Sequence, residues 1–166
     1  AEHIEQLDAD LSFADNVNAS FGAGADLKID HTGTDSVINN ATGHFYIQGE
    51  NQLTIKANNN VEILKATGDE AMAKFIPDGA VELYHNNLKT FSTDSQGAVI
   101  QGIEGEHGVI YLNADEGDDN ADQWGIVASR DASTLNIQNF ASGAWEKSIE
   151  CNGDGNVELY HNNTKM

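Results

Sequence analysis

Apolar and polar residues alternate with a period of two through most of the chain, in short runs separated by turn-forming residues. In such a pattern successive side chains point to opposite faces of a β-strand. The clearest run, Val81-Glu82-Leu83-Tyr84-His85-Asn86-Asn87, recurs letter for letter as Val157 to Asn163, 76 residues later. Each copy follows Asp-Gly and one further residue, and each runs on to a lysine, Lys89 and Lys165. A turn dipeptide, an alternating run and an Asn-Asn pair describe a strand punctuated at both ends. A looser copy, Leu27-Lys28-Ile29-Asp30-His31, keeps the same phase up to its histidine.

The rhythm predicts strands at 27–31, 36–38, 45–48, 53–57, 61–64, 73–76, 81–84 and 89–92. It predicts further ones at 98–101, 109–113, 124–128, 134–138, 145–150 and 157–160, with one more near Val17. Strands every eight to twelve residues describe an all-β chain. Two windows read as helix: residues 1–12, with Ile4, Leu7 and Leu11 at helical spacing, and one turn at Asp118–Asp122. The first is equally compatible with an extended end. Pro77 sits beside Asp78-Gly79, where it shapes a turn without interrupting a ladder.

Composition turns this list of strands into a burial problem. Only 39% of the 166 residues are hydrophobic and 7% aromatic, while 18 Asn, 15 Asp and 16 Gly supply turns. Each strand offers two or three core side chains. A single repeat therefore cannot offset an ordering entropy of about 1–2 kcal/mol per backbone residue. Burial has to come from stacking along the chain, from other chains, or from both, and both are expected here.

Charge narrows the partners. With 8 basic and 27 acidic residues the net charge is −19. Nucleic acid and anionic membranes are disfavoured, because neither is steered toward such a surface. Cys151 is the single cysteine, so no disulfide forms within the chain. No apolar run approaches the roughly 20 residues that span a bilayer, so no membrane insertion is expected. The second VELYHNN stops near Met166 whereas the first continues, and the chain reads as a piece of something longer.

Three stretches carry a family resemblance: Asp26–Ile38 (DLKIDHTGTDSVI), the DGAVELYHNN unit, and the long run Tyr111–Met166. They resemble repeats in tail-fibre and other structural appendage proteins of marine bacteriophages, cyanophages above all. The resemblance spans about residues 13–166. Asp30 and Thr32 depart from it, standing where such repeats more often carry Tyr and Asp. It implies an elongated, intertwined, parallel homotrimer built from short strands, β-prism-like or triple-β-helix-like. It further implies an N-terminal lead-in at 1–24, a first β-repeat unit at 25–104 and a second at 105–166. Leu27, Ile29, Val81, Leu83, Leu135, Ile137, Val157 and Leu159 would then face a shared trimer core. The expected role is a structural, non-enzymatic shaft of a virion tail fibre or other appendage, extracellular and contributing to host attachment. Its partners would be its own copies, other virion tail proteins and, through a distal region, a host surface glycan or protein.

Asp115, Asp118, Asp119 and Asp122 could gather oxygen ligands for calcium, although their spacing does not fit the helix–loop–helix site. A solvated turn, with Asp118 or Asp119 capping a helical turn, is the simpler account. His85 and His161 share a phase with His31, and three copies of one histidine could meet a transition metal on a trimer axis. Hydrogen bonding to a turn or a place at the surface is the simpler role. Trp124 and Trp145 could stack on sugars, although a scarcity of aromatics favours packing. No nucleophile elbow, phosphate-binding loop or zinc spacing is present, and no cofactor is expected. Two alternative readings remain: a polysaccharide-degrading phage appendage using paired carboxylates, and a calcium-stiffened cell-surface adhesin.

Overall fold

The computed structural model describes residues 10–67 and 70–166. The chain is all-β and antiparallel, with two compact units at Ala1–Thr54 and Ile55–Met166. The helical window at 1–12 lies outside the described residues up to position 9, and Asp10 to Ser12 are irregular. No described helix is long and apolar enough to cross a membrane.

The first unit holds three strands, β1 (Ala19–Phe21), β2 (Leu27–His31) and β3 (Ser36–Asn40), in that order in one sheet. Beyond β3 the Asn40 side chain donates to the carbonyls of Thr42 and Gly43 and turns the backbone out of the sheet. The strands expected at 45–48 and 53–57 do not form; both stretches are irregular, and Phe45, Tyr46, Ile47, Leu53 and Ile55 are exposed. Their alternation is genuine, but a strand needs a neighbour to satisfy its backbone, and among the described residues 42–60 pair with none.

The second unit contains two sheets. One runs β4 (Val61–Leu64), β5 (Ala71–Phe75), β6 (Val81–His85), β7 (Leu88–Thr93) and β8 (Ala98–Ile100) in sequence order. The other runs β9 (Gly108–Asn113), β10 (Gln123–Ala128), β11 (Thr134–Asn139), β12 (Glu146–Asn152), β13 (Val157–His161) and β14 (Thr164–Lys165). Every neighbour pair is a meander of adjacent strands, the topology that short turns impose. The helical turn expected at Asp118–Asp122 is replaced by two three-residue 3-10 turns, Asp115–Gly117 and Asn120–Asp122. Asp119 stands at the N-cap of the second but makes no side-chain capping bond.

The two VELYH strands, β6 and β13, occupy the same place in their sheets. Lys74 pairs with Glu82 and Phe75 with Val81; 76 residues on, Glu150 pairs with Glu158 and Cys151 with Val157. The preceding turns close with the same bonds, Ile76 N–H to Ala80 O and Asn152 N–H to Asn156 O. Asn86 and Asn87 have φ of 48° and 63°, and Asn162 and Asn163 have 49° and 54°. Two consecutive left-handed residues make the type I′ hairpin that suits the twist of the flanking strands, and asparagine tolerates that conformation. The second asparagine of each pair also accepts a backbone N–H from the strand behind it: Asn87 from Ala71, Asn163 from Lys147. The looser copy β2 shares the strand but closes through a four-residue turn at 32–35, held by Thr32 and Asp35.

Candidate assembly interface and polar face

Strand register shows which side chains share a face, because directly opposed residues and their second neighbours along a strand point the same way. In the third sheet one row reads Ile110, Ile126, Ile137, Ile149 and Leu159 across five strands. The row beside it reads Gly108, Ala128, Leu135, Cys151 and Val157. In the second sheet the row is Ile63, Ala73, Leu83, Phe91 and Ile100, flanked by Val61, Phe75 and Val81. In the first it is Ala19, Ile29 and Ile38, flanked by Phe21 and Leu27. None of these rows contains a charged residue, although the chain carries a net −19.

These apolar faces are largely uncovered. Leu83 is 44% exposed, Leu135 46%, Leu159 51% and Val157 62%. In the third sheet no side chain of the two apolar rows is buried. The buried positions there, Gly125, Val127, Asn136 and Glu150, all lie on the opposite face. Among the described residues the buried hydrophobic side chains are Ala71, Ala73 and Val127, and no large side chain is fully buried. All eight residues expected in a shared core, Leu27, Ile29, Val81, Leu83, Leu135, Ile137, Val157 and Leu159, stand on these faces.

The opposite faces hold the polar half of the repeat. Tyr84 donates its hydroxyl to Glu82, and Lys89 lies 3.0 Å from the same carboxylate. Tyr160 donates at 2.8 Å to Glu158, which Lys165 approaches at 2.6 Å. Hydrogen bonding by Tyr84, then by Lys89, holds the Glu82 carboxyl below its ordinary value of 4.5. Lys165 and then Tyr160 do the same for Glu158. Each phenol, donating to an anion, is pushed up to about 12. A β-bulge sets up the second cluster. Ile137 pairs with Ile149 but Gln138 with Lys147, so Ser148 is the extra residue and Lys147 joins the polar face beside Glu150. A bulge at Met72 occupies the equivalent place in the first copy.

The same face of the third sheet carries a cleft of about 490 Å³. Its floor is formed by two cross-strand rows, Tyr111–Gly125–Gln138–Lys147 and Val109–Val127–Asn136–Glu150. Trp145 packs over Gly125, where an added Cβ would lie 3.4 Å from the ring, and against Tyr111 and Phe140 at centroid distances of 5.6 and 5.2 Å. The two tryptophans thus part company. Trp124 is on the apolar face opposite Leu112, and Trp145 lines the polar cleft.

The remaining candidates are modest. Asp118, Asp119 and Asp122 bring oxygens within 4.8 Å of one another, but Asp115 does not join them. That turn is closed by its own bonds, Ala114 N–H to Asp122 O and Gln123 Nε2 to Gly117 O. His85 and His161 are exposed at their strand ends; His85 Nε2 lies 3.4 Å from the Asn86 amide. Cys151 is a free thiol on the apolar face. Sequence reasoning missed the Glu–Tyr–Lys clusters, although the repeated Lys89 and Lys165 pointed to them. It missed the cleft entirely, since Asn136, Gln138 and Glu150 converge only through strand register and a bulge. No protein-family model, curated protein or solved structure matches the chain.

Proposed function

We propose that the chain is a structural segment of an elongated homotrimeric appendage, the shaft of a bacteriophage tail fibre that contributes to host attachment without chemistry of its own. The observation that carries the assembly is the set of charge-free apolar rows left half exposed on all three sheets. Covering the remainder of one such side chain is worth about 1 kcal/mol. The seven large ones in the two rows of the third sheet are comparable with the roughly 4–15 kcal/mol cost of association, and the rows of the other sheets add to them. Identical copies are the fitting occupants: the acidic groups stay on the outer faces, so like faces meet without opposing their charges. Threefold symmetry and a viral setting rest on the resemblance of Asp26–Ile38 and Tyr111–Met166 to fibre repeats.

A polysaccharide-cutting role calls for a carboxyl held protonated beside an ionised one. Where two carboxylates do face each other, Glu150 and Glu158, Tyr160 donates to both, and Lys165 and then Tyr160 hold the Glu158 carboxyl below its ordinary value. Sedimentation velocity combined with light scattering tests the proposal. A species of three times the 17.8 kDa chain mass with a high frictional ratio is expected. A compact monomer at micromolar concentration would overturn it.

A further inference from the structure

We infer that the cleft on the polar face of the third sheet binds a neutral or amino-bearing saccharide. Three independent features converge there. First, Trp145 and Tyr111 form an aromatic wall, and Tyr111 is 61% exposed. Aromatic rings beside planar polar side chains suit a sugar, whose ring has an apolar C–H face and a hydroxylated rim. Gly125 fits this arrangement, because a larger residue there would push against the Trp145 ring.

Second, the floor holds an unmet demand. Asn136 is only 6% exposed, its Nδ2 makes a long contact of 3.5 Å to Thr134 Oγ1, and its Oδ1 has no hydrogen-bond partner. A buried amide oxygen without a donor is unfavourable, because the hydrogen bonds it made to water are lost and not replaced. A sugar hydroxyl, which both donates and accepts, would satisfy it while receiving a bond from a neighbour such as Gln138.

Third, charge selects the class of sugar. Glu150 and Asp131 line the cleft against a single lysine, Lys147, which is already paired with Glu150. Asp131 is likewise paired, with Arg130 at 2.9 Å, so among the described residues no lysine or arginine at the cleft is left free for a uronate, sialate or phosphosugar, and the net charge of −19 disfavours such anions over a neutral or amino sugar. The site lies on the face opposite the aliphatic rows, so it stays open when those rows are covered. It does not depend on the number of chains in the assembly.

Calorimetry on the full chain in its native oligomer tests the site, with tetrasaccharides of glucose, mannose, N-acetylglucosamine and glucosamine, and tetragalacturonate as the anionic control. Saturable binding of at least one neutral or amino probe is expected, without binding of tetragalacturonate. Tyr111→Ala should weaken that binding roughly tenfold or more. Asn136→Asp should alter it while circular dichroism confirms the sheet. Trp124→Phe, on the other face, should leave it unchanged and serves as a folded control. Binding of none of the probes, equal binding of tetragalacturonate, or binding indifferent to Tyr111→Ala would overturn the inference.

Discussion

The two copies of the repeat share their backbone and differ in their charges. Register, bulge, preceding turn, left-handed asparagine pair and the clamp from Asn87 or Asn163 coincide at an offset of 76 residues. In the first copy Lys74 stands directly opposite Glu82. In the second, Glu150 takes that place opposite Glu158, and like charges face each other across the ladder. Lys147 repairs this from the position of Ala71, bonding Glu150, while Tyr160 reaches both carboxylates. The apolar side varies less in character: Ala73 and Leu83 become Ile149 and Leu159. The unit is therefore defined by its turns and its apolar row. Its charges need only balance locally.

The largest expected effect separates the apolar rows. Leu159→Asp, beside Ile149, should dissociate the oligomer at micromolar concentration. Leu83→Asp, beside the small Ala73, should weaken it less. Each loses about 1 kcal/mol of burial on assembly per chain and adds the cost of desolvating a carboxylate; light scattering over a dilution series measures both. Next come the asparagines. Asn163→Gly keeps the left-handed backbone and loses only the clamp on Lys147, about 1 kcal/mol. Asn163→Ala adds roughly another 1–2 kcal/mol of backbone strain. The same ordering at Asn87, read by Tm at fixed chain concentration, would show that the two turns are equivalent; reversal at either would break the equivalence.

A smaller effect tests the rearranged charges. Lys147→Ala leaves Glu150 and Glu158 opposed and should lower Tm by roughly a few degrees, more than Lys74→Ala. The smallest is the pH dependence. Glu82 and Glu158 are depressed, so their contribution is present above about the ordinary 4.5 and fades as pH falls through the lowered values. Tyr84 and Tyr160 are raised, so theirs is present below 10 and is lost as pH climbs toward about 12. Glu82→Gln should remove the acid-side slope of the first copy alone, and an unchanged slope would contradict the assignment.

The strands were legible because alternation is local. Val81, Leu83, Val157 and Leu159 show their face in the sequence itself, and Asn86-Asn87 and Asn162-Asn163 announce their turns. Phe45–Gln48 and Leu53–Ala57 alternate equally well yet form no strands, because pairing is a tertiary matter that a pattern cannot guarantee. Simple alternation would put Lys147 on the face of Ile149 and Cys151. The bulge at Ser148 reverses it. The cleft was invisible for a related reason. Asn136 and Glu150 lie far apart in sequence and become neighbours only through the β11–β12 register.

Cys151 offers the most direct test of the central claim, since the only thiol of the chain lies on the apolar face beside Leu135 and Val157. Its rate of reaction with a soluble disulfide reagent reports whether that face is covered in solution. Strong protection is expected in the native protein, and fast labelling both in Leu159→Asp and after denaturation. Labelling of the native protein as fast as that of the Leu159→Asp variant would show an uncovered face and contradict the account.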